Sequence, residues 1–205
     1  MLKLEAQNLA KHFGTRKVFD NINISLEAGQ SLAVVGPNGS GKTTLLKVII
    51  GLVYPSRGDV TFSKNGRKLE FEQYRKYLSL VAPYFSLYDS LTAGENLRFF
   101  AKVSGHVIKR IEQHELLQQV GLEGRGDDFV SSYSTGMKQR LKYAVAMLKR
   151  PKILLVDEPG TNLDESGKEM AANLLNRLRD DSIIIIATND KKEYALAGEF
   201  CQLGG

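Results

Sequence analysis

The apolar positions of this chain follow two rhythms, and the change from one to the other marks out its elements. Ile22, Ile24 and Leu26 alternate with polar residues, which predicts a half-buried strand over 18–26. A shorter strand over 2–5 precedes it, and Gly14-Thr15 turns the chain between the two. Apolar runs at 31–35, 153–156 and 183–187 predict buried strands. Elsewhere the spacing is helical. Leu45, Leu46, Val48, Ile49 and Leu52 predict a helix closing near Gly51, and Ile108, Ile111, Leu116 and Val120 predict one over 107–120 that ends at Gly121. Thr92 and Glu95 form a capping-box pattern for a helix running to about 103. Ser134 caps another, with Leu141, Ala144, Val145 and Leu148 inward, which Arg150-Pro151 stops. Asp164 caps the last, with Ala171, Leu174, Leu175 and Leu178 as its buried stripe. Between them lie a strand over 59–63, a turn at Asn65-Gly66, a helical segment over 71–77 and a strand over 78–81, which Pro83 breaks. Strands that alternate with helices predict an α/β fold with a mainly parallel sheet. In such sheets, ligands gather at the C-terminal strand ends.

Composition narrows the picture without changing it. At 205 residues, 42% hydrophobic and 25% charged, the chain suits one domain with an ordinary core. Its longest aliphatic run, 183–187, is far too short to cross a membrane, and no secretory signal opens the chain. The single cysteine, Cys201, excludes an internal disulfide and suits a reducing compartment, so a cytosolic chain is expected. The net charge is +5. Lys138, Arg140, Lys142, Lys149, Arg150 and Lys152 cluster, but their spacing reads as the solvated side of the helix that carries Leu141 and Ala144. No interleaved aromatics accompany them, so nucleic acid is not the expected partner. His106 and His114 lack partners at metal spacing and are expected at the surface.

The chemistry begins at Gly36-Pro37-Asn38-Gly39-Ser40-Gly41-Lys42-Thr43, with Thr44 next, set between a predicted buried strand and a predicted helix. That arrangement binds phosphate. Glycines let the backbone close around an anion, and free N–H groups at the helix start point at it. Lys42 adds a positive charge for the outer phosphates, and Thr43 offers a hydroxyl to Mg²⁺. The strand at 153–156 ends in Asp157 and Glu158. Asp157 is expected beside Thr43 as a Mg²⁺ ligand, and Glu158 facing the attacking water as its base or orienter.

At Tyr133-Ser134-Thr135-Gly136-Met137, followed by Lys138-Gln139-Arg140, the chain resembles the ATP-binding subunit of ABC transporters. The segment resembles the family's LSGGQ signature, matching at Ser134 and Gly136, in the form common among ABC-2-type and haem-exporter ATPases. Further segments align in order: Phe13 falls on the aromatic that stacks on the base, though a buried core residue is the alternative there. Gly160-Thr161-Asn162-Leu163-Asp164 resembles the D-loop, and Leu91-Thr92 with Glu95-Asn96-Leu97 resembles the segment after the Q-loop. The resemblance implies a P-loop NTPase core of ABC ATPase type, formed by 1–83 and 151–205 with an antiparallel β-subdomain, and a helical subdomain over 84–150. It implies that ATP, with Mg²⁺, lies between Gly36–Thr44 of one chain and Ser134, Thr135, Gly136 and Met137 of a second in a head-to-tail homodimer. A membrane-spanning transporter subunit would be the other partner, holding the ATPase at the inner face of the cell membrane. Two positions depart from the family: Pro83 stands where the Q-loop glutamine is expected, and Asn189 where the switch histidine is expected. Pro83 has no side-chain donor or acceptor, whereas the Asn189 amide can still donate to a phosphate oxygen. Slow hydrolysis is the expectation. The alternatives are a soluble ABC ATPase acting on nucleic acid or ribosomes, and a nucleotide-gated binding module with weak turnover.

Overall fold

The structure is a computed structural model and describes residues 1–204. In chain order its strands are β1 (Leu2–Phe13), β2 (Arg16–Glu27), β3 (Ser31–Val35), β4 (Arg57–Lys64), β5 (Arg67–Leu69), β6 (Leu78–Val81), β7 (Ile153–Asp157), β8 (Ile183–Thr188) and β9 (Glu199–Gln202). The helices are α1 (Lys42–Ile49), α2 (Phe71–Tyr74), α3 (Ala93–Val103), α4 (Arg110–Gln119), α5 (Thr135–Met147), α6 (Glu165–Arg179) and α7 (Lys191–Tyr194). Two sheets carry the fold. One is antiparallel, in the order β2-β1-β4-β5, and the other is parallel, in the order β6-β7-β8-β3-β9.

The parallel sheet is apolar on both faces because each face has its own cover. Ile153 and Leu155 of β7, with Ile183 and Ile185 of β8, pack against Leu45, Leu46 and Ile49 of α1 and against Leu4, Leu26 and Phe62 of the antiparallel sheet. Their neighbours Leu154, Val156, Ile184 and Ile186 point the other way, onto Leu141, Ala144 and Met147 of α5 and Leu174 and Leu175 of α6. Alternation is present in these strands, but both sets are buried, so the sequence shows an unbroken run.

Several elements differ from the sequence expectation. The strands β1 and β2 extend as far as the Gly14-Thr15 turn, because their ladder continues through register shifts near Asn8 and Asn21. Both asparagines take left-handed backbone angles, φ 50° and 53°, and the irregularities hide the period-two pattern. Leu52 lies beyond the end of α1 and is 64% exposed. The 71–77 segment is one α-helical turn followed by a 3₁₀ turn over Arg75–Tyr77. The expected face of the 107–120 helix is corrected in part: Val120 is buried and Leu116 packs against the core as expected. α4 begins only at Arg110 and buries Gln113 and Leu117, while Ile111 is 66% exposed. β5, α7 and β9 are additions. His106 and His114 are at the surface.

Candidate nucleotide site

In the parallel sheet Val35 lies beside Thr188, and Asp157 beside Ala187. This register delivers Gly36, Glu158 and Asn189 to the same edge. The loop leaving β3 needs its glycines. A Cβ on Gly36 would lie 2.4 Å from the Leu203 carbonyl oxygen, and one on Gly41, where φ is +102°, would lie 2.5 Å from Val18 Cγ1. Gly41 is the N-cap of α1 and offers no side-chain cap, and no acidic residue stands in the first turn. The first N–H groups of α1 are therefore left for an anion. Lys42 is 5% exposed, and its Nζ donates to the Gly36 and Pro37 carbonyl oxygens at 2.8 and 3.1 Å. The lysine thus holds the loop in a phosphate-ready curve.

Thr43 Oγ1 donates to Asp157 Oδ2 at 2.7 Å, a contact that joins α1 to the end of β7. The other oxygen, Asp157 Oδ1, is buried without a hydrogen-bond partner. Burial raises the Asp157 pKa, the Thr43 hydrogen bond opposes the rise, Glu158 adds to it, and Lys42 and Lys47 oppose it. A desolvated carboxylate with a spare oxygen beside a hydroxyl suits a hard divalent cation such as Mg²⁺. Glu158 has a left-handed backbone, φ 54°, and its N–H donates to the Ala187 carbonyl at 2.8 Å. That conformation costs about 1–2 kcal/mol in a non-glycine residue. Glu158 Oε2 accepts from Thr161 Oγ1, three residues on, at 2.9 Å, and Glu158 lines the same cavity as the loop after β3.

A cavity of about 430 Å³ opens above this edge, lined by Phe13, Arg16, Val18, Asn38, Gly39, Gly41, Lys42, Thr43, Thr44 and Glu158. Phe13 is 54% exposed at its mouth, so it is not a core residue. Arg16 and Val18 were not singled out in the sequence. Their spacing on β2, two residues apart and just after the turn that follows Phe13, is the signal that puts both on its lining. Asn189 is exposed, and its Nδ2 donates to Asn38 Oδ1 at 2.8 Å, linking the end of β8 to the loop. Ser134 caps α5 by accepting from the Met137 N–H at 3.2 Å. Neither it nor Thr135, Gly136 or Met137 lines the cavity of its own chain.

Glu193 was also missed. Its Oε1 accepts from the Gly160 N–H at 2.8 Å and its Oε2 accepts from Thr188 Oγ1, tying the segment after Glu158 to the strand that ends at Asn189. Burial raises its pKa against those two hydrogen bonds. The reading of the basic residues as a solvated helix side is corrected in part. Arg140 Nη2 donates to Asp164 Oδ1 at 2.9 Å, Lys138 Nζ to Asp89 Oδ1 at 2.8 Å, and Lys142 to backbone oxygens beside Pro83. A helical projection gives the direction of a side chain, whereas the loops folded over that side decide whether it meets water.

A family model described as ABC transporter matches residues 19–161, more than half of the chain. The uncharacterized ABC transporter ATP-binding protein YdbJ of Bacillus subtilis is 35% identical, over 95% of this chain and 70% of its own length. The linearmycin resistance ATP-binding protein LnrL of the same organism is 31% identical, over 93% of this chain and 62% of its own. A protein of Escherichia coli O157:H7 named for Fe(3+) ion import is 36% identical over 86% of this chain and 49% of its own. The chain thus spans from 49% to 62% of the length of these last two relatives. Among solved structures, the ATP-binding cassette MJ0796, a dimer in a post-hydrolysis state bound to ADP and Pi, superposes with a TM-score of 0.84 at 25% identity. The match covers 98% of this chain and 94% of that one. With the phosphate loop and the Asp157–Glu158 strand end on one sheet edge, these matches show that the chain belongs to the ABC transporter family, as an ATPase of its ATP-binding type.

Proposed function

We propose that two copies of this chain close head to tail on two molecules of MgATP, and that hydrolysis drives a membrane-spanning partner, most simply an exporter. The observation that carries the reading is the Asp157 carboxylate, with one oxygen on Thr43 and the other buried and free, next to Glu158. Thr43 Oγ1 and Asp157 Oδ1 are the groups that would hold Mg²⁺, which supplies Lewis-acid polarisation of the phosphate oxygens. Lys42 exchanges its loop carbonyls for phosphate oxygens, Phe13 stacks on the base, Asn189 Nδ2 donates to the outer phosphate, and Glu158 orients and deprotonates the attacking water.

Dimerisation is supported by the place of Ser134–Met137, which lie outside their own chain's cavity, and by the dimer of the MJ0796 cassette. An exporter is supported by the resistance name of LnrL, against the import name of the Escherichia coli relative. The membrane-spanning partner is supported by the transporter names of the relatives, and no helix among the described residues is long and apolar enough to cross a membrane. Its seat would be the aromatic cluster of Phe85, Tyr88, Phe99 and Phe100, with ring centroids 4.7–6.0 Å apart, where Tyr88 and Phe99 are 47% and 38% exposed. Glu158→Gln keeps the side-chain shape but removes the base. With MgATP it should elute from size exclusion as a dimer while the wild type stays mainly monomeric, and a variant monomeric at saturating MgATP refutes the reading.

A further inference from the structure

Pro83 offers no side-chain amide or carboxylate, so its loop must be held by something else. The β6–β7 ladder ends at Val81 beside Val156, which leaves the next two carbonyls, Ala82 and Pro83, beyond the paired strands. Carbonyls in that position need a donor. The Ala82 oxygen has one in the Phe85 N–H at 3.1 Å; Lys142, on α5 and about sixty residues later in the chain, adds a second at 3.2 Å and donates to the Pro83 oxygen at 2.9 Å. Its neighbours Lys138 and Arg140 pair with carboxylates, but Lys142 makes its hydrogen bonds to backbone alone. Burial lowers its pKa, as expected of an ammonium group drawn out of water.

The other side of the same loop is also fixed. Tyr84 places its ring 4.1 Å from Nζ of Lys47, on α1 and one turn beyond Thr43. Burial and then the Asp157 charge push its hydroxyl pKa up to about 12, so Tyr84 lies within reach of the field of the Asp157 carboxylate. The adjacent α5 residue, Tyr143, donates from its hydroxyl to the Pro159 carbonyl at 3.0 Å, just past Glu158. One helix, capped by Ser134, therefore grips both loops that border the Asp157–Glu158 strand end.

We propose that Lys142 is a positioning residue for ATP hydrolysis, clamping the Pro83 loop to the helix that Ser134 caps so that the two move as one body beside Asp157. A loop with a mobile side-chain switch could shift against that helix. This one is held to it by two charge-assisted hydrogen bonds, and a displacement of α5 reaches the metal-side edge of the site through backbone. The inference rests on the ATPase reading above, and its test has a readout independent of turnover.

The test compares the full chain with Lys142→Met, which keeps the stem, and Lys142→Arg, which keeps the donors. It measures MgATP affinity by calorimetry, steady-state phosphate release, and hydrogen exchange at the Phe85 amide, which donates to the clamped Ala82 oxygen at 3.1 Å. Lys142→Met should leave Kd within about twofold, lower kcat on the order of 10-fold to 100-fold, and speed exchange at Phe85 without speeding it across β7 and β8. Lys142→Arg should restore both properties. If Lys142→Met does not fold, Lys142→Gln replaces it and should fall between the wild type and loss of the clamp. Unchanged exchange at Phe85 overturns the clamp, as does turnover at the wild-type rate, or a loss of affinity with faster exchange throughout. A wild type that releases no phosphate overturns the ATPase reading instead, and exchange at Phe85 still decides whether the clamp exists.

Discussion

Tyr143→Phe is a single-atom test of how α5 supports the strand end at Asp157-Glu158. Tyr143 is completely buried, and its hydroxyl donates to the Pro159 carbonyl at 3.0 Å. Burial raises its pKa far above the ordinary phenol value, with the Glu193 charge adding, so the hydroxyl remains a donor across the working pH range. Phenylalanine keeps the ring and its contacts but removes the donor, leaving a buried carbonyl one residue past Glu158 without its partner. Orphaning a buried acceptor costs about 1–3 kcal/mol. For a chain of this size each kcal/mol lowers Tm by about 2–4 °C, so a fall of about 2–12 °C follows. Turnover should fall further than that figure suggests, because Glu158 is held in a strained left-handed conformation by its two ends. One end is its own N–H on Ala187; the other is the Pro159 segment. Thermal unfolding followed by circular dichroism and phosphate release at saturating MgATP measure the two effects. A Tm within about 1 °C of the wild type, with unchanged turnover, would refute the idea that α5 holds this strand end through Pro159.

Lys42→Ala should abolish tight MgATP binding, read by calorimetry, because no other lysine reaches the loop carbonyls from within it. Asn189→Ala should lower turnover on the order of tenfold or more by removing a donor to developing charge; wild-type turnover in that variant would take Asn189 out of the switch position. Glu193 has a raised folded pKa, so the folded chain binds its proton more tightly than the unfolded chain does. Stability should therefore fall as pH rises from the ordinary Glu value of 4.5 through the folded pKa, and recover on acidification. Across that window the stability of Glu193→Gln should rise relative to wild type, and pH-resolved melting curves check the sign. In a Cys201→Ser background, Tyr88→Cys should cross-link to an integral membrane protein in native membranes, whereas labelling of soluble proteins alone would remove the proposed seat.

The parts of this molecule that were legible in the sequence are those where local chemistry decides. Gly36–Thr43 needs particular backbone angles and a particular cation, so its letters carry its conformation. The same holds for Thr92 with Glu95, whose side chains and N–H groups exchange hydrogen bonds at 2.8 and 3.2 Å. Partners distant in sequence hid the rest. α4 is mostly polar and buries Gln113, which accepts from Arg98 Nη1 at 3.2 Å, so apolar spacing found Leu116 and Val120 but turned Ile111 inward and passed over Gln113 and Leu117. β9 is short, with Phe200 58% exposed, and is a strand only because β3 offers it an open edge. Lys142 and Arg140 looked solvated because nothing local to α5 announces the Pro83 loop or Asp164. Glu193 resembled any surface glutamate until β8 and the Gly160 turn closed over it.

The position of β3 in the parallel sheet, next to the edge strand β9, has a consequence for how the protein is made. β3 is flanked by β8 and β9, so Ser31 pairs with Ile184 and Leu32 with Glu199. Behind the phosphate loop, the Leu203 N–H closes onto the Val35 carbonyl at 2.8 Å. At ordinary elongation rates, more than 150 residues separate the two sides of this pairing by on the order of 10 s of synthesis. Throughout that interval a five-residue apolar segment waits without either neighbour, and the loop after it has no back wall. Nascent chains should therefore acquire nucleotide binding abruptly, only once β8 and β9 have left the ribosome, and β3 is the stretch that a chaperone would find exposed until then.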